Sequence, residues 1–216
     1  MKILDAQHIA AVHAPAEMPA PHYAEVAFAG RSNVGKSSLI NCLVARRRLV
    51  RTSNTPGCTR AIHCFRVRYP GGVLDLVDLP GYGYAKRSKQ ERRHWASLIE
   101  GFLAARDNLR WVLVLVDSRR GLGEEDAQLL DFLRQIGRPA LLVWTKCDKL
   151  KARERHALVR EQKRLQLPAV AFSAQTGQGR DALWQQLLQG PVSVRPAGRD
   201  DGAGRDHAAN DESTQR

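Results

Sequence analysis

Four cysteines in 216 residues, Cys42, Cys58, Cys64 and Cys147, are scattered with no CxxC or finger spacing. That excludes a disulfide scaffold or a zinc module as the organising principle and points to free thiols in a reducing compartment. No apolar run approaches the ~18 residues that a membrane-crossing helix needs. MKILDAQHIAAVHAPAEMP also lacks the apolar core of a secretory signal, so a cytoplasmic protein with no membrane partner is expected. No internal repeat is present. The chain is short of acid too: 22 Asp and Glu face 34 Lys and Arg, a formal net charge of +12. The stretch from Arg195 to Arg216 holds four arginines and five acids, which leaves +13 on the remainder. A globular body of that charge is expected to meet a polyanion.

The length suits one domain with a substantial core. Residues 1–22 are rich in Ala and Pro, and Pro191 to Arg216 has almost no large apolar side chains. Both read as flexible, because neither can offset its ordering entropy. The domain is therefore placed at 23–190, between a flexible extension, 1–22, and a disordered tail, 191–216. Within it, the apolar runs AEVAFA (24–29), IHCFRV (62–67), VLDLVDL (73–79), WVLVLVD (111–117), ALLVWT (140–145) and AVAFS (169–173) read as strands. Helical patterns fall at Lys36 to Ala45, Ser88 to Arg106, Glu124 to Ile136, Lys151 to Leu165 and Gly179 to Leu188. The alternation predicts a doubly wound α/β sheet with helices on both faces. IHCFRV and VLDLVD are joined by YPGG, too short for a crossover, so one antiparallel hairpin is expected.

GRSNVGKS, Gly30 to Ser37, fits GxxxxGK[ST] and sits between a predicted strand and a predicted helix. In that setting backbone N–H groups curl around a β-phosphate, Lys36 reaches the β- and γ-phosphates, and Ser37 offers its hydroxyl to Mg²⁺. Asp78, ending a strand and followed by Leu79-Pro80-Gly81, can hold Mg²⁺ through a water while the Gly81 amide donates to the γ-phosphate. Loss of that phosphate would release the segment beyond Gly81. TKCD, Thr145 to Asp148, fits [NT]KxD: Asp148 can accept from guanine N1–H and N2–H₂, and the Lys146 stem can cover the base. Adenine would leave that carboxylate unpaired, which is the basis of the discrimination. AFSA (171–174) ends the last strand, where a Ser173-Ala174 backbone N–H can reach guanine O6. The threonine that closes over Mg²⁺ is sought among Thr52, Thr55 and Thr59; Thr59, just before the strand at Ile62, is the choice.

FAGRSNVGKSSLIN (28–41), SNTPGCTR (53–60), DLPGYGYAK (78–86), LVDSRRGL (115–122) and TKCDKL (145–150) resemble the signatures of the EngB (YihA/YsxC) family of bacterial GTPases, in the class that also holds Era and TrmE. The similarity runs from about Glu25 to Leu188. It implies a three-layer, Ras-like P-loop G domain whose mostly parallel sheet has about six strands, one of them antiparallel. It also implies GTP, GDP and Mg²⁺ binding, GTP hydrolysis, action on the large ribosomal subunit or its precursor through rRNA and ribosomal proteins, and a link to cell division and septation. Carried onto this chain, the nucleotide contacts are Gly30, Arg31, Ser32, Asn33, Val34, Gly35, Lys36 and Ser37; Gly57, Cys58, Thr59, Arg60 and Ala61; Asp78, Leu79, Pro80 and Gly81; Thr145, Lys146, Cys147 and Asp148; and Phe172, Ser173 and Ala174. Magnesium falls to Ser37, Thr59 and Asp78, and catalysis to Lys36, Asn33, Thr59 and Gly81. The family usually reads TPGRT where this chain has TPGCT, so Cys58 stands where an arginine is usual; if that guanidinium contacts RNA or phosphate, Arg60 is the residue that can partly substitute for it.

Tyr82 follows DLPG where Ras-like enzymes carry the glutamine that orients water. A phenol cannot present a carboxamide's donor and acceptor, so slow intrinsic turnover is expected. In related GTPases an asparagine at the position of Asn33 helps to bind K⁺ in place of an arginine finger, which makes K⁺ an expected activator; the alternative is a loop residue that only tolerates the bend. His94 is more simply a solvated helix residue than a base. Basic residues gather at Arg46, Arg47, Arg48 and Arg51, at Lys86, Arg87, Lys89, Arg92 and Arg93, and at Lys149, Lys151, Arg153 and Arg155. The first two groups adjoin γ-phosphate-sensing segments and suggest a nucleotide-dependent rRNA contact; the third reads equally as a solvated face. Tyr82-Gly83-Tyr84 is read as the start of a partner-facing switch, the alternative being that Tyr82 and Tyr84 each only cover the core, and a monomer is the default. Two rival readings are an RNA-binding module with a merely structural nucleotide site and a P-loop phosphotransferase, the latter opposed by TKCD with DLPG and by the lack of an arginine-rich lid.

Overall fold

The structure is a computed structural model that describes residues 1–50, 61–83 and 89–190, with the backbone alone for Pro15 and residues 89–95. Its strands are β1 (Asp5–Val12), β2 (Ala24–Gly30), β3 (Ile62–Tyr69), β4 (Gly72–Asp78), β5 (Leu109–Asp117), β6 (Ala140–Thr145) and β7 (Ala169–Ala171). Its helices are α1 (Lys36–Leu43), α2 (Lys89–Ala105), α3 (Glu124–Gln135), α4 (Ala152–Leu165) and α5 (Arg180–Gln189). The strands form one sheet in the order β1-β3-β4-β2-β5-β6-β7. β3 pairs antiparallel with both β1 and β4, and the other pairings are parallel. β3 is thus the one strand that runs against the rest, as the short YPGG connection requires.

The long apolar runs follow from burial on both faces of a central strand. In β5, Leu113 and Leu115 join Val26 and Phe28 of β2 in a core closed by Leu39, Ile40 and Leu43 of α1 and by Leu183, Trp184 and Leu187 of α5. The alternate residues Val112, Val114 and Val116 face a second core with Ala27 and Ala29, closed by Leu98, Phe102 and Leu103 of α2 and by Leu130 and Leu133 of α3.

Residues 1–22 are not a flexible extension: Asp5–Val12 pair along β3, Asp5 opposite Arg68 and Val12 opposite Ile62, and make a seventh strand where about six were expected. Backbone pairing holds this strand more than apolar burial does, since only Val12 is fully buried. The link to β2 is pinned by the buried Arg106–Glu25 ion pair, whose guanidinium also donates to the Pro19 carbonyl at 2.8 Å. The tail read from residue 191 lies outside the described residues.

The topology decides where chemistry can gather. Gly30, Asp78, Asp117 and Thr145 all end parallel strands, and Ser173 follows β7 by two residues. They share one sheet edge, the carboxyl ends where open α/β sheets bind ligands.

Candidate nucleotide site

β2 ends at Gly30 and α1 starts at Lys36, so residues 31–35 form the intervening loop. Gly35 caps α1 at φ +104, a conformation L side chains rarely adopt. Two loop amides are used internally: Ser32 N–H donates to the Tyr82 carbonyl at 2.9 Å and Val34 N–H to the Arg31 carbonyl at 3.1 Å. The amides of Lys36, Ser37 and Ser38 open the helix without an intrahelical acceptor. An anion at this end meets both those donors and the helix dipole.

Asp78, 2 % exposed, accepts from the Lys36 amine, which joins the first loop to the end of β4. Gly81 lies so close that a Cβ there would stand 3.2 Å from Ser32 Oγ. The Ser37 hydroxyl makes no hydrogen bond among the described residues. A hydroxyl and a carboxylate are hard oxygen donors and fit magnesium, so Ser37 and Asp78 could hold that ion. Thr59, Gly57, Cys58 and Arg60 lie outside the described residues, as do Thr52 and Thr55; Ala61 is described and buried.

Next to this cluster opens a cleft of about 350 Å³ lined by Gly35, Ser38, Leu39, Thr145, Lys146, Asp148, Lys149, Phe172, Ala174 and Gln175. Its side chains are held firmly. Thr145 Oγ1 donates to the Val34 carbonyl at 2.7 Å, which ties the end of β6 to the first loop. The Lys146 amine donates to the Asn33 carbonyl at 2.8 Å and to Asp117 Oδ2 at 3.0 Å. Asp148 Oδ1 accepts from Ser173 Oγ at 2.7 Å, and that bond holds its carboxyl below the usual carboxylate range. The Ser173 backbone N–H is taken by the Gln178 carbonyl at 3.0 Å, so of the Ser173-Ala174 pair only the Ala174 amide has no acceptor among the described residues. Cys147 is buried and does not line the cleft.

Asp117, in none of the sequence motifs assigned to the site, also belongs to it through Lys146. Burial alone would raise its carboxyl, but hydrogen bonds from Arg119 and Lys146 overcome this and hold it well below the usual range. Arg119 grips it with Nε at 2.9 Å and Nη2 at 2.7 Å. The available signal was its position, a carboxylate ending β5 as Asp78 ends β4.

Tyr82 is not partner-facing. It is 6 % exposed, and its hydroxyl donates to Asp126 Oδ1 at 2.7 Å. Burial first, and then the Asp126 charge, push the phenol far above its ordinary pKa. The other Asp126 oxygen accepts the Gly123 N–H at the start of α3, at 2.9 Å. Arg31 reaches the same helix through Glu125 at 3.4 Å, so its side chain braces the loop against α3. Tyr84 and the side chain of His94 lie outside the described residues.

The chain is similar to known proteins in sequence and in fold. The family described as 50S ribosome-binding GTPase matches residues 25–146, more than half of the chain. A protein of Pelobacter propionicus called "Probable GTP-binding protein EngB" is 45% identical over 193 residues, covering 88% of this chain and 95% of its own. Among solved structures, a probable GTP-binding protein EngB aligns with a TM-score of 0.61 at 25% identity, over 77% of this chain and 97% of its own. Era in complex with MgGDPNP and nucleotides 1506-1542 of 16S ribosomal RNA aligns with a TM-score of 0.66 at 25% identity, over 83% of this chain and 60% of its own. With the first loop, the DxxG segment and the TKxD loop meeting at one sheet edge, the chain belongs to the EngB family of GTP-binding proteins and is a GTPase.

Proposed function

We propose that this GTPase is a switch in assembly of the large ribosomal subunit, required for normal division and septation, and that its guanine nucleotide lies across the loops just described. The observation that carries the nucleotide placement is the convergence of Lys36, Asp78, Lys146 and Asp148 on one edge, with two loops locked together by the Thr145–Val34 and Lys146–Asn33 bonds. In this reading Asp148 accepts from the guanine N1–H and N2–H₂ edge, the Ala174 amide donates to O6, and Lys146 covers the base. Lys36 and the first amides of α1 take the phosphates. Ser37 and Asp78, with Thr59, hold Mg²⁺, which neutralises charge on the phosphate oxygens when bound. The Gly81 amide senses the γ-phosphate. The nucleotide-binding unit ends near residue 190.

Hydrolysis is slow without help. Tyr82 supplies no group to orient water, because its hydroxyl is committed to Asp126. Help comes from K⁺ bound near Asn33, from a ribosomal particle, or from both. The ribosomal partner rests on the description of the matching family and on the basic residues flanking the segments that answer to the γ-phosphate; Era, a structural relative, is seen with ribosomal RNA. Cytoplasmic action as a monomer completes the proposal; among the described residues no helix is long and apolar enough to cross a membrane. The test is single-turnover GTP hydrolysis in K⁺ and in Na⁺, with and without large ribosomal subunits. Stimulation by K⁺ or by the particles is expected. Fast turnover in Na⁺ alone would contradict the reading, and no turnover under any condition would favour a purely structural nucleotide site.

A further inference from the structure

Helix α4 is unlike the other helices of the fold. None of its residues is fully buried, and only Leu158 and Leu165 among its large apolar side chains pack against the core. Residues 149–165 carry seven Lys and Arg against two Glu. Both glutamates are already engaged: Glu154 accepts the Lys151 N–H at 2.6 Å at the helix start, and Glu161 pairs with Arg164 at 2.7 Å. Arg153, Arg160 and Lys163 are exposed and have no carboxylate partner among the described residues. At 3.6 residues per turn they lie about 120° or more around the helix from Leu158 and Leu165, and they span ~15 Å along it. A row of unpaired cations at helical spacing thus stands on the outward side of an elongated, solvated helix.

We infer that this outer face of α4 is a contact for RNA phosphates, and that it works in the same way whichever nucleotide is bound. The inference rests on the proposed ribosomal reading for its partner. Charge complementarity favours RNA over the alternatives. A protein interface needs apolar or aromatic anchors at its centre, and Val159 is the one large apolar side chain exposed on α4. A membrane-surface helix needs an apolar face to insert, whereas Leu158 and Leu165 are committed to the core. Independence from the nucleotide follows from position: α4 follows the base-reading loop and shares no residue with the DxxG segment or the stretch of sequence that holds Thr59. The protein so divides its hold on RNA, with α4 a constant anchor and the switch-flanking cations the part that changes.

The test compares full-length wild type with Arg153→Gln/Arg160→Gln/Lys163→Gln, using a fluorescent RNA duplex and purified large ribosomal subunits, with GDP or a non-hydrolysable GTP analogue, over a salt series. The triple variant should bind both probes about tenfold more weakly or worse. Its log-affinity against log-salt slope should be shallower by about 2 to 3, since each phosphate no longer neutralised removes ~0.7 to 0.9 from the slope. The weakening should be the same with either nucleotide, while GTP affinity and the unfolding midpoint stay unchanged. Arg153→Lys/Arg160→Lys should retain binding. Unchanged affinity and slope in the triple variant, with weakening instead in a variant neutralised at Arg46, Arg47 and Arg48, would overturn the α4 contact and leave the ribosomal reading standing. Weakening on subunits with full retention on naked RNA would also overturn it, by moving the contact to a ribosomal protein. If the wild type bound neither probe, both readings would fall.

Discussion

At neutral pH the Asp117 carboxylate is shared by Arg119 and Lys146, and Lys146 in turn holds the Asn33 carbonyl. Because its folded pKa is depressed, the stabilisation is present in full above the ordinary carboxylate value near ~4 and is lost as pH falls below it. Asp117→Asn should therefore be less stable than wild type at neutral pH, and the gap should narrow as pH drops below about 4; urea unfolding over a pH series measures this. GTP affinity should fall as well, since Lys146 loses its anion. Tyr82→Phe acts elsewhere. It leaves Asp126 Oδ1, in a residue 2 % exposed, without its donor, at a cost of about 1 to 3 kcal/mol in unfolding free energy. GTP binding should persist in Tyr82→Phe, because the phenol faces α3 and not the cleft. Cys64, pushed up to about 12 by burial, should stay inert to thiol reagents in the folded state at pH 8.

Among the elements, β1 has the clearest structural role outside the site. It covers the edge of β3, so a chain beginning after Val12 would expose a row of unpaired N–H and C=O groups. That truncation should lower the thermal midpoint and raise light scattering on standing. The strand escaped the sequence reading for a physical reason. Its half-buried residues include Ala6 and Ala10, too small to announce alternation, and its register shifts between His8 and Ala10. The six other strands were legible because each carries Val, Leu or Phe into one of the two cores, and the helices because their apolar residues recur at helical spacing. The loops of the site were legible as well, since their glycines, Lys36 and Asp148 have few other reasons to occur at strand ends. What stayed hidden depends on contacts distant in sequence: Tyr82 meeting Asp126, Ser173 meeting Asp148, and Asp117 meeting Lys146.

For the molecule as a whole, two cores stacked across one sheet fix the relative positions of the loop between β2 and α1 and the loop after β6. Ligand binding should therefore register as global stability. GDP at about 100 times its Kd should add about 2.7 kcal/mol to the unfolding free energy, visible as a midpoint shift of roughly 5 to 10 °C for a domain of this size; removal of the nucleotide should reverse it. The basic charge should make association with RNA fall steeply with salt while nucleotide affinity changes little. The central claim is that guanine is read in the cleft by Asp148, positioned by Ser173. The most direct test is competition between GTP and xanthosine triphosphate on wild type and on Asp148→Asn. Xanthine carries a carbonyl where guanine has its 2-amino group, so it suits a donor where GTP needs an acceptor. Wild type should prefer GTP, and the variant should lose GTP affinity by about 100-fold or more while gaining xanthosine triphosphate. Unchanged GTP affinity in the variant, with no gain for the xanthine nucleotide, would contradict the account.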